Sequence, residues 1–139
     1  MADAAIGEAL VKANRPSEAA RYLEKLAADA PAWAHRARAE ALLALGQRFD
    51  VALREAKAAA EAPDAADGDL AALGWAQWKC GDTDAAMETL RRAVERVAAP
   101  SVRARCHYQL SRILEAQGRA AEAKEHLALA RDLGYPLAR

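Results

Sequence analysis

The side chains capable of acid–base, nucleophilic or metal chemistry are few and scattered. Histidine occurs only at His35, His107 and His126, and cysteine only at Cys80 and Cys106. Cys106-His107 has the look of a ligand pair, and Cys80 is the one thiol that could extend it. Cys80 falls near the end of one helical segment and Cys106 near the start of the next equivalent one. Parallel packing of those segments separates the thiols by about a helix length, ~15–20 Å, so a shared metal is not expected. Both cysteines read as small buried hydrophobes, and His35 and His107 as partly buried packing residues. The carboxylates from Asp64 to Asp69 lack calcium-loop spacing, and no Glu closes the run. There is no glycine-rich phosphate loop, and Ser17 and Ser101 suit turn or capping roles. No catalytic set, metal site or cofactor is expected, and the chain reads as non-enzymatic.

The elements that position these residues are written in the composition. In 139 residues, 20 Lys and Arg balance 20 Asp and Glu. A net charge of zero argues against a nucleic-acid partner, which calls for a basic surplus. No apolar run approaches the ~20 residues of a membrane span, and Met1 to Leu10 lacks the blocks of a secretory signal. Two cysteines without a CxxC fit free thiols in a reducing compartment, hence a cytoplasmic protein. Alanine dominates and lysine is sparse, a balance that goes with a GC-rich bacterial genome. Alanine is the best helix former and needs the least packing space, so the chain is expected to be all-α with closely approaching helices.

One pattern recurs four times. A turn residue, two or three polar residues and an alanine pair precede an apolar helical stripe, beginning at Asn14, Gly46, Gly81 and Gly118. The anchoring alanines Ala19, Ala52, Ala86 and Ala123 are spaced 33, 34 and 37 residues apart. The stripes are Leu23 and Leu26, Ala56 and Ala59, Leu90 and Ala93, and Leu127 and Ala130, each ending near a proline (Pro31, Pro63, Pro100, Pro136). Each unit is therefore a helical hairpin with a left-handed turn residue between its helices. A small alanine marks each helix crossing. A lone hairpin cannot bury both faces, so the units must stack. The wider last spacing predicts a longer second helix in the third unit. The acidic linker 62–69 reads either as a solvated surface loop or as a looser joint with room to hinge between the second and third units.

This pattern resembles the tetratricopeptide repeat family. The third unit carries it best, through Leu70, Leu73-Gly74, Gly81-Asp82, Ala86, Leu90 and Ala93. The fourth follows with Tyr108, Leu110-Ser111, Gly118, Ala123, Leu127 and Ala130. The second has an extra residue in its turn, and the first, through Ile6-Gly7, Leu10, Asn14, Ala19, Leu23 and Leu26, is the weakest. The resemblance implies one domain over residues 1–139, with units at about 3–31, 32–65, 67–100 and 101–136, stacked as a right-handed superhelical solenoid.

The resemblance further implies protein binding, as an adaptor, co-chaperone or assembly scaffold, in a concave groove lined by the first helix of each unit. Carried over by position, the groove residues are Glu8, Lys12, Trp33, Arg36, Glu40, Trp75, Trp78, Lys79, Arg105, Tyr108, Gln109 and Arg112. All three tryptophans fall in this set, and aromatic and arginine side chains dominate binding hot spots. Lys79, Arg105 and Arg112 favour a carboxylate-bearing or acidic-apolar peptide. The family's Lys/Asn/Arg carboxylate clamp is not implied, because Ala4 and Glu8 hold the matching places. The alternative is a structural module whose terminal faces build a homodimer or dock a neighbouring domain, with Leu133, Tyr135 and Leu137 as the oligomer face.

Overall fold

The structure, a computed structural model, describes residues 2–136. Among the described residues there are eight helices and no strand. They are α1 (Ala2–Lys12), α2 (Pro16–Tyr22), α3 (Ala32–Leu45), α4 (Phe49–Glu61), α5 (Asp67–Lys79), α6 (Thr83–Arg96), α7 (Pro100–Ala116) and α8 (Ala120–Asp132). Consecutive pairs form four hairpins. The first helices α1, α3, α5 and α7 pack in order into one layer, and each second helix also packs on the next first helix. The result is a two-layer solenoid.

The recurring turn residue produces one recurring device. Asn14, Gly46, Gly81 and Gly118 all adopt positive φ, between 59° and 88°. The next amide reaches back to close the first helix, from Arg15 to Leu10, Gln47 to Leu42, Asp82 to Gln77 and Arg119 to Leu114. That backward bond satisfies a carbonyl the helix end would leave orphaned. The extra residue of the second turn is absorbed by Arg48, which is also left-handed at φ 52°. Asp82 then caps α6 by accepting from the Ala85 amide at 3.2 Å.

Small residues set the spacing of the helices. Ala19, Ala52 and Ala86 are fully buried and Ala123 nearly so. In two hairpins a glycine completes the close approach: a Cβ on Gly7 would lie 2.5 Å from Leu23, and one on Gly74 would lie 2.6 Å from Leu90. Leu23 and Leu90 are themselves fully buried. The largest core cluster runs from α5 to α8 and is filled by Leu90, Leu110, Ile113 and Leu114.

Three local expectations are corrected. The wider last spacing does not lengthen α6; it lengthens α7, which starts at Pro100 and spans 17 residues. Proline fits the first turn of a helix at no hydrogen-bond cost, so Pro100 opens α7 rather than ending α6. In the first unit α2 stops at Tyr22, leaving Leu26 in irregular chain. The acidic linker is tied down rather than loose. Asp64 accepts from the Ala32 amide at 3.1 Å, capping α3 from one repeat away, and Asp69 accepts from the Ala66 amide at 2.6 Å.

Candidate functional site

The layer of first helices carries a concave cavity of about 550 Å³. Its walls come from all four hairpins. Glu8, Val11 and Lys12 stand on α1, Trp33, Arg36, Ala37 and Glu40 on α3, Asp67 and Gly68 at the start of α5, and Val102 and Arg105 on α7. Six residues expected in the groove therefore meet in one cavity: Glu8, Lys12, Trp33, Arg36, Glu40 and Arg105. Glu8 and Lys12 are one helical turn apart, as are Arg36 and Glu40, and so share a face.

Charge in the cavity is arranged around Arg36. Its Nη1 donates to Asp69 Oδ1 at 2.8 Å, while Nε lies 3.7 Å from Glu40 and Nη2 lies 4.0 Å from Glu8. Arg105 Nη1 approaches Glu40 from α7, also at 3.7 Å, so Glu40 links the second hairpin to the fourth. Burial pushes the Glu40 carboxyl above its ordinary pKa, opposed by Arg105 and Arg36. Trp33 packs half-buried against the core of the first hairpin and leaves its remaining surface to the cavity.

The other expected groove residues lie elsewhere. Trp75 and Trp78 are half-buried, with ring centroids 4.8 Å apart, and Lys79 Nζ lies 5.3 Å and 4.9 Å from them. This cation–π group is self-satisfied and does not line the cavity, and Trp78 also packs against the main core. Gln109 is buried, and its Oε1 has no hydrogen-bond partner.

Tyr108 and Arg112 belong to a second cavity of about 550 Å³ between α7 and α8. Ser111, Ala123, Leu127 and Arg131 also line it. Arg112 donates to the Tyr108 hydroxyl at 3.0 Å, and Tyr135 stacks on Tyr108 with centroids 4.5 Å apart. Burial beside Tyr108 raises the Tyr135 hydroxyl above its ordinary pKa. Leu133 is half-buried at the end of α8, and Leu137 lies outside the described residues.

The reactive side chains are placed in packing roles. Buried His35 joins Glu55 at 2.5 Å and the Ala28 carbonyl at 3.3 Å, and Glu55 also accepts from Arg38 at 2.8 Å. His107 and His126 face each other across α7 and α8, Nδ1 to Nδ1 at 2.9 Å. Cys106 is buried, whereas Cys80 is exposed and donates to the Phe49 carbonyl at 3.3 Å; the expectation that Cys80 is buried is corrected. It follows α5 directly, in the exposed hairpin turn. Among the described residues, no three metal-ligating side chains gather.

Sequence reasoning missed Val11, Ala37, Asp67, Gly68 and Val102 in the cavity wall, and Asp69 behind it. Asp69 carried one signal: it lies 33 residues after Arg36, one repeat on, where adjacent first helices meet.

The comparisons agree with this architecture. The tetratricopeptide repeat family model matches residues 70–96 and 104–130, the third and fourth hairpins. No curated protein matches the sequence. Among solved structures, a MamA crystal structure aligns with a TM-score of 0.70 at 17% identity, covering 94% of this chain and 75% of its own. A MamA from MSR-1 aligns at 0.53 and 20% identity, covering 91% of each chain. A mutant MamA aligns at 0.51 and 20%, covering 94% of this chain and 95% of its own. At these identities the likeness is one of fold. That fold is generally a non-enzymatic interaction module, and no helix among the described residues is long and apolar enough to cross a membrane. The tetratricopeptide repeat family model thus matches the last two hairpins, and the likeness in solenoid fold extends over 94% of the chain.

Proposed function

We propose that the protein acts by non-enzymatic binding of an extended partner segment in the concave cavity, as an adaptor, co-chaperone or assembly scaffold. The observation that carries this reading is the cavity to which all four hairpins contribute. A surface assembled from four rigid units is preorganised, so little conformational freedom is lost when a partner binds. Two free cysteines support a cytoplasmic site of action, and the alanine-rich composition supports a bacterial one.

A second reading has its own observation. Each earlier hairpin packs the next first helix between its two helices, whereas no helix among the described residues follows α8, and the cavity between α7 and α8 lies open. A second copy of the chain docked there would give a homodimer.

Paired variants separate the readings. Trp33→Ala, with helicity retained by circular dichroism, removes partner capture if the concave cavity is the site. Lys124→Glu with Arg131→Glu removes dimerisation in light scattering if the end face is the site. Capture that survives Trp33→Ala and is lost in the end-face variant overturns the first reading in favour of the second.

A further inference from the structure

The charges of the concave cavity are not evenly layered. The acids lie deep: the Glu8 and Glu40 side chains are 27% and 29% exposed. The cations facing them stand at the rim, Lys12 at 74% and Arg105 at 45%. Lys12 Nζ is 3.6 Å from Glu8 and Arg105 Nη1 is 3.7 Å from Glu40, both longer than a hydrogen bond. Arg36 stands near both acids but spends its close bond on Asp69 at 2.8 Å, reaching Glu40 and Glu8 only at 3.7 and 4.0 Å. Two partly desolvated carboxylates therefore face the cavity with loose partners, beside the surface of Trp33.

We propose that this cavity takes a lysine or arginine side chain of an extended partner segment, held between Glu8 and Glu40 and against Trp33. The proposal rests on the concave cavity being the partner-binding surface, and it reverses the acidic partner that the arginine content alone favoured. A partner's ammonium or guanidinium brings several donors to acceptors that lack close ones, which gives charge-assisted bonds in a partly dry site. The Trp33 ring adds a cation–π contact. Lys12 and Arg105 hold the place that the partner's cation takes, and both have enough exposed length to swing outward. An anion would instead sit beside Glu8 and Glu40, where like charges repel. Burial raises the Glu40 pKa even with Arg105 and Arg36 nearby, as for a partly desolvated carboxylate. At about 550 Å³ the cavity accepts one side chain with its flanking backbone, not a helix ~10–12 Å across.

The test uses the full chain and three short peptides on one Gly/Ser/Ala scaffold, differing only in a central Lys, Glu or Leu. Binding is followed through the indole N–H resonance of Trp33. The Lys peptide is expected to bind about tenfold tighter than the Leu peptide, the worth of one charge-assisted contact. Glu40→Gln and, as a second variant, Glu8→Gln reduce that preference with helicity unchanged. Arg105→Gln strengthens it, because a competing internal cation is gone. A Glu peptide that binds tightest and is weakened by Arg105→Gln overturns the inference while leaving the groove reading standing. Equal binding of all three at Trp33 does the same. If no peptide moves Trp33 and shifts appear instead at Ala120 and Lys124, both the inference and the groove reading fall.

Discussion

Arg36 on α3 and Asp69 on α5 meet at 2.8 Å, with the Asp69 side chain 1% exposed, so a nearly dry carboxylate joins the second hairpin to the third. The same carboxylate accepts from the Ala66 amide and so organises the start of α5. Removing the arginine strands a buried charge, which costs far more than an exposed ion pair is worth. Arg36→Met is expected to destabilise the fold by about 3 kcal/mol, near the low end for broken buried pairs because Arg36 keeps 21% exposure. Urea denaturation measures it, and a loss below about 1 kcal/mol contradicts the role given to the pair.

Gly74 is required by contact rather than by backbone conformation. A Cβ there would lie 2.6 Å from Leu90 Cγ, inside any real contact. Gly74→Ala is expected to cost about 1–3 kcal/mol from overpacking. Leu90→Ala alone is expected to cost about 2–5 kcal/mol from the cavity it leaves. The double variant relieves the clash, so its loss is smaller than the sum of the two. Additivity in a double-mutant cycle would show that the two sites are uncoupled.

The His107–His126 contact makes the last hairpin sensitive to acid. At 2.9 Å between Nδ1 atoms, one neutral ring donates to the other's lone pair. Burial and then His126 lower the pKa of His107, and burial and then Arg91 lower that of His126. The folded state therefore favours the neutral rings. Their contribution is fully present above the ordinary histidine value and is lost as pH falls below it, because the unfolded chain takes up protons first. Thermal unfolding at pH 7.5 and 5.5 is expected to show a larger loss for the wild type than for His126→Gln. Equal losses would remove the pair from the pH response.

The two thiols differ in environment, and labelling should report it. Burial pushes the Cys106 thiol up to about 11, whereas Cys80 stands exposed in its turn. Iodoacetamide at pH 8 is expected to modify the native chain at Cys80 alone and the urea-unfolded chain at both sites. Native labelling at Cys106 would contradict its burial.

Much of this was legible because the same local chemistry recurs. Asn14, Gly46, Gly81 and Gly118 announce left-handed turns, and each forms the same backward hydrogen bond. Ala19, Ala52 and Ala86 mark helix crossings through size alone. Side-chain pairing across repeats was less legible. Asp64 and Asp69 read as solvated linker charges, yet each finds a partner one repeat away. Pro100 was ambiguous because proline both ends and begins helices, and the packing of α7 decides between them. The expected groove separated for a geometric reason. Trp33, Arg36 and Arg105 turn into the cavity, Trp75 and Trp78 pack on each other, and Tyr108 and Arg112 face the end of the stack.

The central claim is that partner segments lie in the cavity shared by four hairpins. Site-specific photo-cross-linking tests it most directly, with a photoreactive residue placed in turn at Lys12, Arg91 and Lys124. All three positions are exposed, and they report on the concave cavity, on α6 and on the end face. The account predicts a partner adduct through position 12, suppressed by Trp33→Ala, and none through position 91. Adducts through position 124 alone would contradict it and assign binding to the open end of the last hairpin.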